Sequence, residues 1–319
     1  MTSALRTVLG NHGQVAALKS GEVRVAGVEL AFEDVKPMVD AYRRMARAAE
    51  FDICELAPTT YLVARARGTP ITALPIPMTR RFRHAGVVRP QGSSIRSPKD
   101  LEGRRVGIRA HTVTAGVWTR GILMDEYGLD PAKVTWVTDD EEHVPDVALP
   151  PNVQKAPDGR KLADLMRAGE LDAGFAGLAG IGEPPEGTRY DDLFDDPAPL
   201  EAEWFRRTGI YPIHGLITVR DDVLAAHPHL PGALMDAFEA AKRLYLDNVM
   251  SGEADGPEDR RYRKLAALVG DPLPYGFEAN RASLEALVRY ANRQGFLPDP
   301  EPLERLFLPV EPVAREVAA

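Results

Sequence analysis

The sequence lacks several features that would narrow its function at once. Cys54 is the single cysteine among 319 residues, which excludes a disulfide framework within the chain and a cysteine-rich zinc module. Lysine and arginine number 39 against 47 aspartates and glutamates, a net charge of −8, whereas a nucleic-acid-binding protein needs a basic face for phosphate contact. No apolar run approaches the ~18 residues that a membrane span requires. We therefore expect no nucleic-acid partner and no membrane partner.

Motifs for export, nucleotide binding and metal-dependent hydrolysis are also missing. The first residues, MTSALRTVLG, have no cationic segment followed by a long apolar run, so we expect no signal peptide and a cytoplasmic protein. There is no G-x-x-x-x-G-K-[ST], G-x-S-x-G or H-E-x-x-H motif, and no G-x-G-x-x-G between a strand and a helix. His227 and His229 flank a proline with no carboxylate motif beside them, which favours a surface turn over a metal site. His143, in an acidic loop, is expected to be exposed.

Strand-length apolar runs alternate with segments of helical period along most of the chain. Residues 28–33 alternate with period two, as in a half-exposed strand, and residues 39–49 repeat with the period of a helix. This βαβα order predicts an α/β protein with a mostly parallel sheet. From residue 222 onward the pattern is mainly helical.

A stretch rich in proline, glycine and serine at residues 90–98 interrupts this order, which is typical of a connection or a surface loop. A second α/β unit begins after it, and a later β-rich run can carry the chain back. We therefore predict a first lobe of residues 1–90 and 215–319 with C-terminal helices. A second lobe of residues 91–214 should be inserted in it, with a ligand cleft between the lobes. The predicted chain crossings lie near residues 88–97 and 210–219.

Three arginines and a histidine cluster in the sequence TRRFRH at residues 79–84, after a predicted strand. A planar guanidinium binds a carboxylate through two parallel hydrogen bonds, so clustered arginines are typical of an acid-recognition site. Alternation along an extended chain puts Arg81 and Arg83 on one face and Arg80 and His84 on the other. The cluster is therefore either an anion clamp or a solvated edge strand of alternating charge.

A second group of candidates lies at predicted strand ends. His111, Thr112 and Thr114 stand between a strand and a helix, where either threonine can cap the helix and free amides can bind an anion. Capping without a ligand is the alternative. Glu55 follows Asp52 at a strand end, which is where α/β sheets place their ligands.

Two more histidines are ambiguous in the sequence alone. His214 lies in a β-rich run where the chain is expected to cross between lobes, and His12 follows the first predicted strand. Each is either a buried, hydrogen-bonded side chain or a group that faces the cleft.

Several of these segments together resemble the 4,5-dihydroxyphthalate decarboxylase family, which shares the type II periplasmic-binding-protein fold. The matching segments are FDICEL from residue 51, TRRFRH from 79, LEGRRVG from 101, TAGVWTRGIL from 114 with EYG from 126, GELDA from 169, YPIHG from 211 and PYGFEANR from 274. L-x-G-x-x-V-G is shared with transporter binding proteins at large, whereas R-F-R-H and T-A-x-x-W-x-R-G are more specific to the decarboxylase-like branch. The loop after Trp136 departs from the family pattern, because it is rich in aspartate and glutamate where glycines are expected.

The resemblance implies a decarboxylase of a dihydroxylated aromatic acid. No organic cofactor is expected because the substrate is its own electron sink, and a divalent metal is left open. The reaction needs a base near the hydroxyls, an acid at the carboxylated carbon and cations on the remaining carboxylate. His84 and His214 are the predicted acid/base residues, with Glu55 as a hydroxyl partner. The predicted substrate-binding residues are Arg80, Arg81, Arg83, His12, His111, Thr112 and Thr114.

Two alternatives share the predicted fold. One is a non-catalytic substrate-binding protein for a small anion, of the kind that serves ABC transporters. The other is a different cytosolic enzyme on the same scaffold. The expected partner of the decarboxylase is a small aromatic acid, and a homo-oligomer is left open.

Overall fold

The computed structural model describes residues 4–298 and 301–313, which form eleven strands and eleven α-helices. The strands are β1 (Ala4–Val8), β2 (Glu29–Phe32), β3 (Ile53–Leu56), β4 (Ile71–Arg80), β5 (Val87–Pro90), β6 (Arg105–Gly107), β7 (Thr135–Thr138), β8 (Val153–Lys155), β9 (Ala173–Phe175), β10 (Tyr190–Asp192) and β11 (Ile213–Arg220). The helices are α1 (Ala16–Ser20), α2 (Met38–Ala48), α3 (Pro58–Ala66), α4 (Thr114–Tyr127), α5 (Leu162–Arg167), α6 (Pro197–Thr208), α7 (Asp221–Ala226), α8 (Leu230–Ser251), α9 (Pro257–Val269), α10 (Phe277–Arg293) and α11 (Leu303–Leu306).

The chain divides into two compact α/β units. Among the described residues, the first contains those up to Arg80, Ile213–Glu285 and those from Glu301 onward, and the second contains Arg81–Pro212 and those from Ala286 to the gap. The α/β class is confirmed, as is the mainly helical character of the described residues after Asp222. Within these described residues, no helix is both long and apolar enough to cross a lipid bilayer.

The first boundary differs from the sequence expectation. Residues 81–90 were assigned to the first lobe, but β5 pairs with β9 and β10 and so belongs to the second sheet. The proline- and glycine-rich stretch that suggested a domain connection is a turn after β5. The chain leaves the first unit earlier, directly after Arg80, and α10 carries it into the second unit again at Ala286.

The sheet of the first unit has the strand order β2-β1-β3-β11-β4. Strands β1, β2 and β3 are parallel, whereas β11 is antiparallel to both β3 and β4. The sheet is therefore mixed rather than mostly parallel, because β11 re-enters from the inserted segment and not through a helical crossover. All four residues of β3 are buried, as expected of a strand flanked on both sides and covered on both faces.

Helix α8 supplies much of the core of this unit. Leu230, Leu234, Phe238 and Ala241 recur at the spacing of one helical face and are buried in one cluster with Ile76 and other residues of β4. Complete burial of a leucine or phenylalanine side chain stabilises a fold by roughly 1.5–3 kcal/mol. The helix ends where Gly252 adopts φ 87°, a left-handed conformation that glycine adopts without steric cost.

The sheet of the second unit has the strand order β10-β5-β9-β6-β7-β8. Strands β6, β7, β8 and β9 run parallel to their neighbours in this group. Their carboxyl ends therefore lie at one edge of the sheet, where α/β folds place ligands. The segments that follow β6, β7 and β9 at this edge are residues 108–113, 139–152 and 176–189.

Candidate functional site

A buried carboxylate and a histidine form an ion pair in the first unit. Glu55, in β3, is 2% exposed, and its Oε2 atom lies 2.8 Å from Nε2 of His12. The backbone N–H of Gly10 donates to the same oxygen at 2.9 Å, and the hydroxyl of Tyr42 donates to Oε1 at 3.4 Å. Gly10 and His12 directly follow β1, which is parallel to β3. The topology of the sheet thus brings these groups together.

The electrostatics of this pair favour the charged form of both partners. Burial alone would raise the pKa of the Glu55 carboxyl, but the attraction and hydrogen bond of His12, with the Gly10 N–H and Tyr42, outweigh burial and lower that pKa. Burial alone would lower the pKa of His12, and the attraction and hydrogen bond of Glu55 instead raise it. A buried charge is tolerated only when it is paired and hydrogen-bonded, as here.

Two glycines make room for the carboxylate. A Cβ atom on Gly10 would lie 2.6 Å from Nε2 of His12 and 2.9 Å from Oε2 of Glu55. A Cβ atom on Gly215, in β11, would lie 2.8 Å from Oε1 of Glu55 and 3.2 Å from the Cβ of Met78. The backbone therefore approaches the carboxylate from two sides at distances that a larger residue does not allow.

The two partners of the pair differ in exposure. The His12 side chain is 27% exposed, whereas that of Glu55 is 3% exposed. The imidazole can therefore be reached from outside while the carboxylate orients it and favours its protonated form. Such a pair can act as a general acid, or as a base after the proton has left.

His214 is the second sequence-predicted histidine in this unit. It is half-buried on β11 and immediately precedes Gly215, the residue that lies against the Glu55 carboxylate. The pairing of β11 with β4 is irregular on either side of Gly215. His12, Glu55 and His214 thus all belong to the first unit.

The second unit contains an anion-binding arrangement at the carboxyl end of β6. One oxygen of the Glu142 carboxylate accepts the backbone N–H of His111 at 2.6 Å, and the other accepts the backbone N–H of Thr112 at 3.0 Å. The Thr112 hydroxyl also donates to the second oxygen. We call these three donors the amide cradle. The sequence indicated that anion-binding amides lie here, and the structure gives them an anion from the protein itself.

The expectation that a threonine caps the following helix is wrong. The N-cap of α4 is Val113, and no side chain caps it. Thr112 instead directs its hydroxyl to Glu142, and Thr114 is the first residue of the helix and is buried.

A buried cation lies beside the amide cradle. Arg120, in α4, is 1% exposed. Its Nη2 donates to the carbonyl of His111 at 2.6 Å and its Nε donates to Oε1 of Gln294 at 2.7 Å. Burial lowers the pKa of Arg120 to about 9, and the charge of Glu142 acts in the opposite direction. The His111 ring is buried against Trp136, and burial followed by repulsion from Arg120 lowers its pKa well below the ordinary value.

The arginine cluster is divided as strand alternation predicts. Arg80, Phe82 and His84 are buried, Arg81 is exposed and Arg83 is half-exposed. This burial matches the alternation predicted from the sequence, although β4 ends at Arg80. Arg81 and Arg83 are thus on the accessible face, and both belong to the second unit.

Arg80 is held by the protein in the first unit. Its Nη1 donates to Oδ1 of Asn280, its Nη2 donates to the Ser283 hydroxyl at 3.3 Å, and its own carbonyl accepts from Arg261 at 2.8 Å. These partners give Arg80 a position in the interior at the end of β4. The predicted contact of Arg80 with substrate has no support from these partners.

His84 lies in an aromatic cluster of the second unit. Its ring is 5.5 Å from that of Trp204, 6.1 Å from Phe194 and 6.4 Å from Tyr127, measured between centroids. Burial lowers its pKa to about 4, so the ring is neutral near pH 7. Its contacts are those of a core residue and give no support to the predicted acid/base role.

Several residues of these two arrangements were not predicted from the sequence. Glu142 could have been suspected because it follows a parallel strand in an acidic loop, whereas Tyr42, on α2, carries no such signal. His143 was expected to be exposed and is 4% exposed, so that expectation is wrong. Among the described residues, no group of three or more histidine, cysteine, aspartate or glutamate side chains is placed to hold a metal ion.

Comparison with known proteins places the chain in a family. A family model described as an ABC transporter, phosphonate, periplasmic substrate-binding protein matches residues 27–181. A 4,5-dihydroxyphthalate decarboxylase of Comamonas testosteroni is 32% identical over 304 residues, which cover 91% of this chain and 92% of the relative. A protein of the same name from Pseudomonas putida is 32% identical over 210 residues, which cover 63% of this chain and 81% of that protein.

A solved structure supports the fold. The periplasmic aliphatic sulphonate binding protein SsuA from Escherichia coli matches with a TM-score of 0.55, at 12% identity, over 100% of this chain and 96% of its own. At this identity the likeness concerns the fold alone. With the two mixed sheets it confirms the predicted type II periplasmic-binding-protein-like fold. Because identity to the Comamonas testosteroni protein extends over nearly the full length of both chains, the chain belongs to the 4,5-dihydroxyphthalate decarboxylase family.

Proposed function

We propose that this protein removes CO2 from a dihydroxylated aromatic carboxylic acid, and that 4,5-dihydroxyphthalate, giving protocatechuate, is the first substrate to test. The observation that carries the proposal is the pairing of His12 with Glu55, in which the imidazole lies 2.8 Å from a buried carboxylate that favours its protonated form. Two relatives named 4,5-dihydroxyphthalate decarboxylase support the choice of substrate.

The proposed reaction places two demands on the protein. Each carboxylated carbon of a 4,5-dihydroxyphthalate ring is para to one hydroxyl, so removal of that hydroxyl proton pushes electron density to the carbon. An acid then protonates the carbon, and the C–C bond to the carboxylate breaks so that its electron pair restores aromaticity as CO2 leaves. The reaction therefore needs a base at the hydroxyl and an acid at the carbon.

In this proposal His12 is the acid. The raised pKa of its imidazole favours the protonated form, and the side chain is partly exposed and so can be reached by the substrate. Glu55 acts through His12, because it is almost wholly buried and its oxygens are already used by His12, Gly10 and Tyr42. His214 is the proposed base, since it is half-buried in the same unit and adjoins the residue that contacts the Glu55 carboxylate.

The substrate carboxylates would be held by cations and by amide donors. We assign this role to Arg81 and Arg83, on the accessible face of their segment, and to the amide cradle of His111 and Thr112. Hydrogen bonds to a carboxylate are stronger than those between neutral groups. A reaction without an organic cofactor and a cytoplasmic location are parts of the same proposal.

A second candidate is a protein that binds a small anion without changing it. It is favoured by the match of residues 27–181 to a phosphonate-binding family model. The experiment that separates the two candidates measures CO2 and protocatechuate after purified protein is mixed with 4,5-dihydroxyphthalate. Equal amounts of both products, in excess over protein, support the decarboxylase. Saturable binding of the acid with no CO2 from it or from related hydroxylated aromatic acids supports the binding protein.

A further inference from the structure

We propose that Glu142 occupies the carboxylate subsite of the ligand-free protein, and that a substrate carboxylate takes its place on the amide cradle. Glu142 is then a specificity-determining residue, because only a ligand group that can displace its carboxylate binds at this subsite. The inference rests on the proposed function for the identity of the substrate, and on the geometry of the second unit for the subsite itself.

The cradle uses both oxygens of the carboxylate. The N–H groups of His111 and Thr112 donate to different oxygens of Glu142, at 2.6 and 3.0 Å, and the Thr112 hydroxyl donates to one of them. Three donors that converge on two oxygens fit any planar carboxylate. An aromatic carboxylate presents the same two oxygens in the same plane.

A buried cation beside the cradle favours a negative charge on it. Arg120 is 1% exposed, and its Nη1 has no hydrogen-bond partner among the described residues. In that part of the chain no carboxylate lies within ion-pair distance of it, and Glu142 is the acidic group whose charge favours its protonated form. An uncompensated charge in a protein interior is costly. A carboxylate on the cradle, from Glu142 or from a ligand, offsets this cost, whereas a neutral group does not.

The exchange needs only a local movement. Glu142 lies in residues 139–152, which contain no helix or strand. The residues beside it are anchored: the N–H of Asp140 donates to the carbonyl of Arg109 at 3.0 Å, and His143 is buried. In the proposed exchange the half-exposed Glu142 side chain rotates off the cradle while these contacts hold the neighbouring backbone.

The first test is chemical rescue of the variant Glu142→Ala by acetate. Its melting temperature without ligand should be lower than that of Glu141→Ala, a matched variant that removes one negative charge from the neighbouring, exposed position. Sodium acetate, compared with sodium chloride at equal ionic strength, should restore the melting temperature of Glu142→Ala and leave Glu141→Ala unchanged. Acetamide should have no effect. Adding Thr112→Val to Glu142→Ala should abolish the response to acetate.

The second test measures the affinity for protocatechuate, the product, by calorimetry. If Glu142 competes with the ligand, Glu142→Ala should bind protocatechuate about tenfold more tightly than the parent does, because the competing state is removed. Glu141→Ala should bind protocatechuate with the affinity of the parent. The affinity for 3,4-dihydroxybenzamide, which has no carboxylate, should be the same in Glu142→Ala and in the parent.

The inference is overturned if acetate does not selectively stabilise Glu142→Ala, or if Glu142→Ala binds protocatechuate no more tightly than Glu141→Ala. These outcomes are separate from those of the proposed function. If acetate rescues Glu142→Ala and protocatechuate binds it more tightly, but no CO2 is released from 4,5-dihydroxyphthalate, the carboxylate subsite is supported and the decarboxylase is refuted. CO2 release without either effect would retain the decarboxylase and refute the role of Glu142.

Discussion

The Nε2 atom of His12 lies 2.8 Å from Oε2 of Glu55, a carboxylate that is almost fully buried at the centre of a mixed sheet. Three donors surround that carboxylate, and the imidazole side chain among them is 27% exposed. Each partner thus favours the charged form of the other. The activity proposed for the chain depends on this relationship.

Replacement of Glu55 by glutamine should shift the pH dependence of turnover. Glu55 raises the pKa of His12, so its loss should lower that pKa, and the acid form of His12 should disappear at a lower pH. The alkaline limb of the kcat profile should therefore move to lower pH, and turnover at pH 7 should fall by on the order of 100-fold. Glu50→Gln, which removes a more exposed carboxylate paired with Arg44, should keep the parental profile. If the alkaline limb of the kcat profile does not move in Glu55→Gln, Glu55 does not set the pKa of the catalytic acid.

Replacement of Gly215 by alanine should lower turnover because it disturbs the Glu55 carboxylate. The added Cβ would lie 2.8 Å from Oε1 of Glu55, so the carboxylate or the backbone must shift, which disturbs the contact with His12, and we expect turnover to fall by ~10-fold or more. The matched control is Gly232→Ala in α8, where an added Cβ meets nothing within 4 Å and should stabilise the helix by about 0.5–1 kcal/mol. Parental turnover in Gly215→Ala would show that turnover does not depend on the close approach of the β11 backbone to the Glu55 carboxylate.

Replacement of Arg120 by lysine should destabilise the second unit although the charge is kept. A lysine ammonium does not reproduce the planar group that donates to both Gln294 and the carbonyl of His111. A loss of about 2–4 kcal/mol in the free energy of unfolding in urea is expected. Arg167→Lys, at an exposed position of α5 paired with Asp164, should change that free energy by less than ~0.5 kcal/mol. Equal effects in the two variants would contradict the interior role of Arg120.

Replacement of His84 by phenylalanine should make the protein less sensitive to acid. The pKa of His84 is about 4 in the folded protein against an ordinary value of 6.5. Between these values the unfolded chain binds a proton that the folded chain does not, so stability is lost as pH falls from 6.5 towards 4. The melting temperature of His84→Phe should therefore fall less than that of the parent between pH 7 and pH 4.5. His229→Gln, at an exposed histidine, is the control, and parental behaviour of His84→Phe would contradict the core assignment.

Features that depend on neighbouring residues in the sequence could be predicted. Alternation along an extended chain separated buried Arg80 from exposed Arg81 correctly, because successive side chains of a strand point to opposite faces. The α/β class followed from the alternation of apolar runs with helical segments. The resemblance to the family rested on short segments that keep their order along the chain, and the full-length match confirmed it.

Features that depend on contacts between distant residues could not be predicted. The amides of His111 and Thr112 were expected to meet an external anion, but Glu142, about thirty positions along the chain, is bonded to them. Nothing in the local sequence distinguishes His84, in an aromatic cluster, from His12, which contacts a carboxylate. The boundary after Arg80 was missed because a proline-rich turn after β5 has the composition of a domain linker.

The most direct test of the central claim compares turnover and ground-state binding in His12→Gln. Glutamine keeps a polar side chain but has no titrating proton, so kcat for CO2 release from 4,5-dihydroxyphthalate should fall by ~100-fold or more. The Kd for the product protocatechuate should change much less, because the lost interaction is needed only in the transition state. A variant that keeps parental kcat, or one that loses kcat only in proportion to its binding, would contradict the assignment of His12 as the acid.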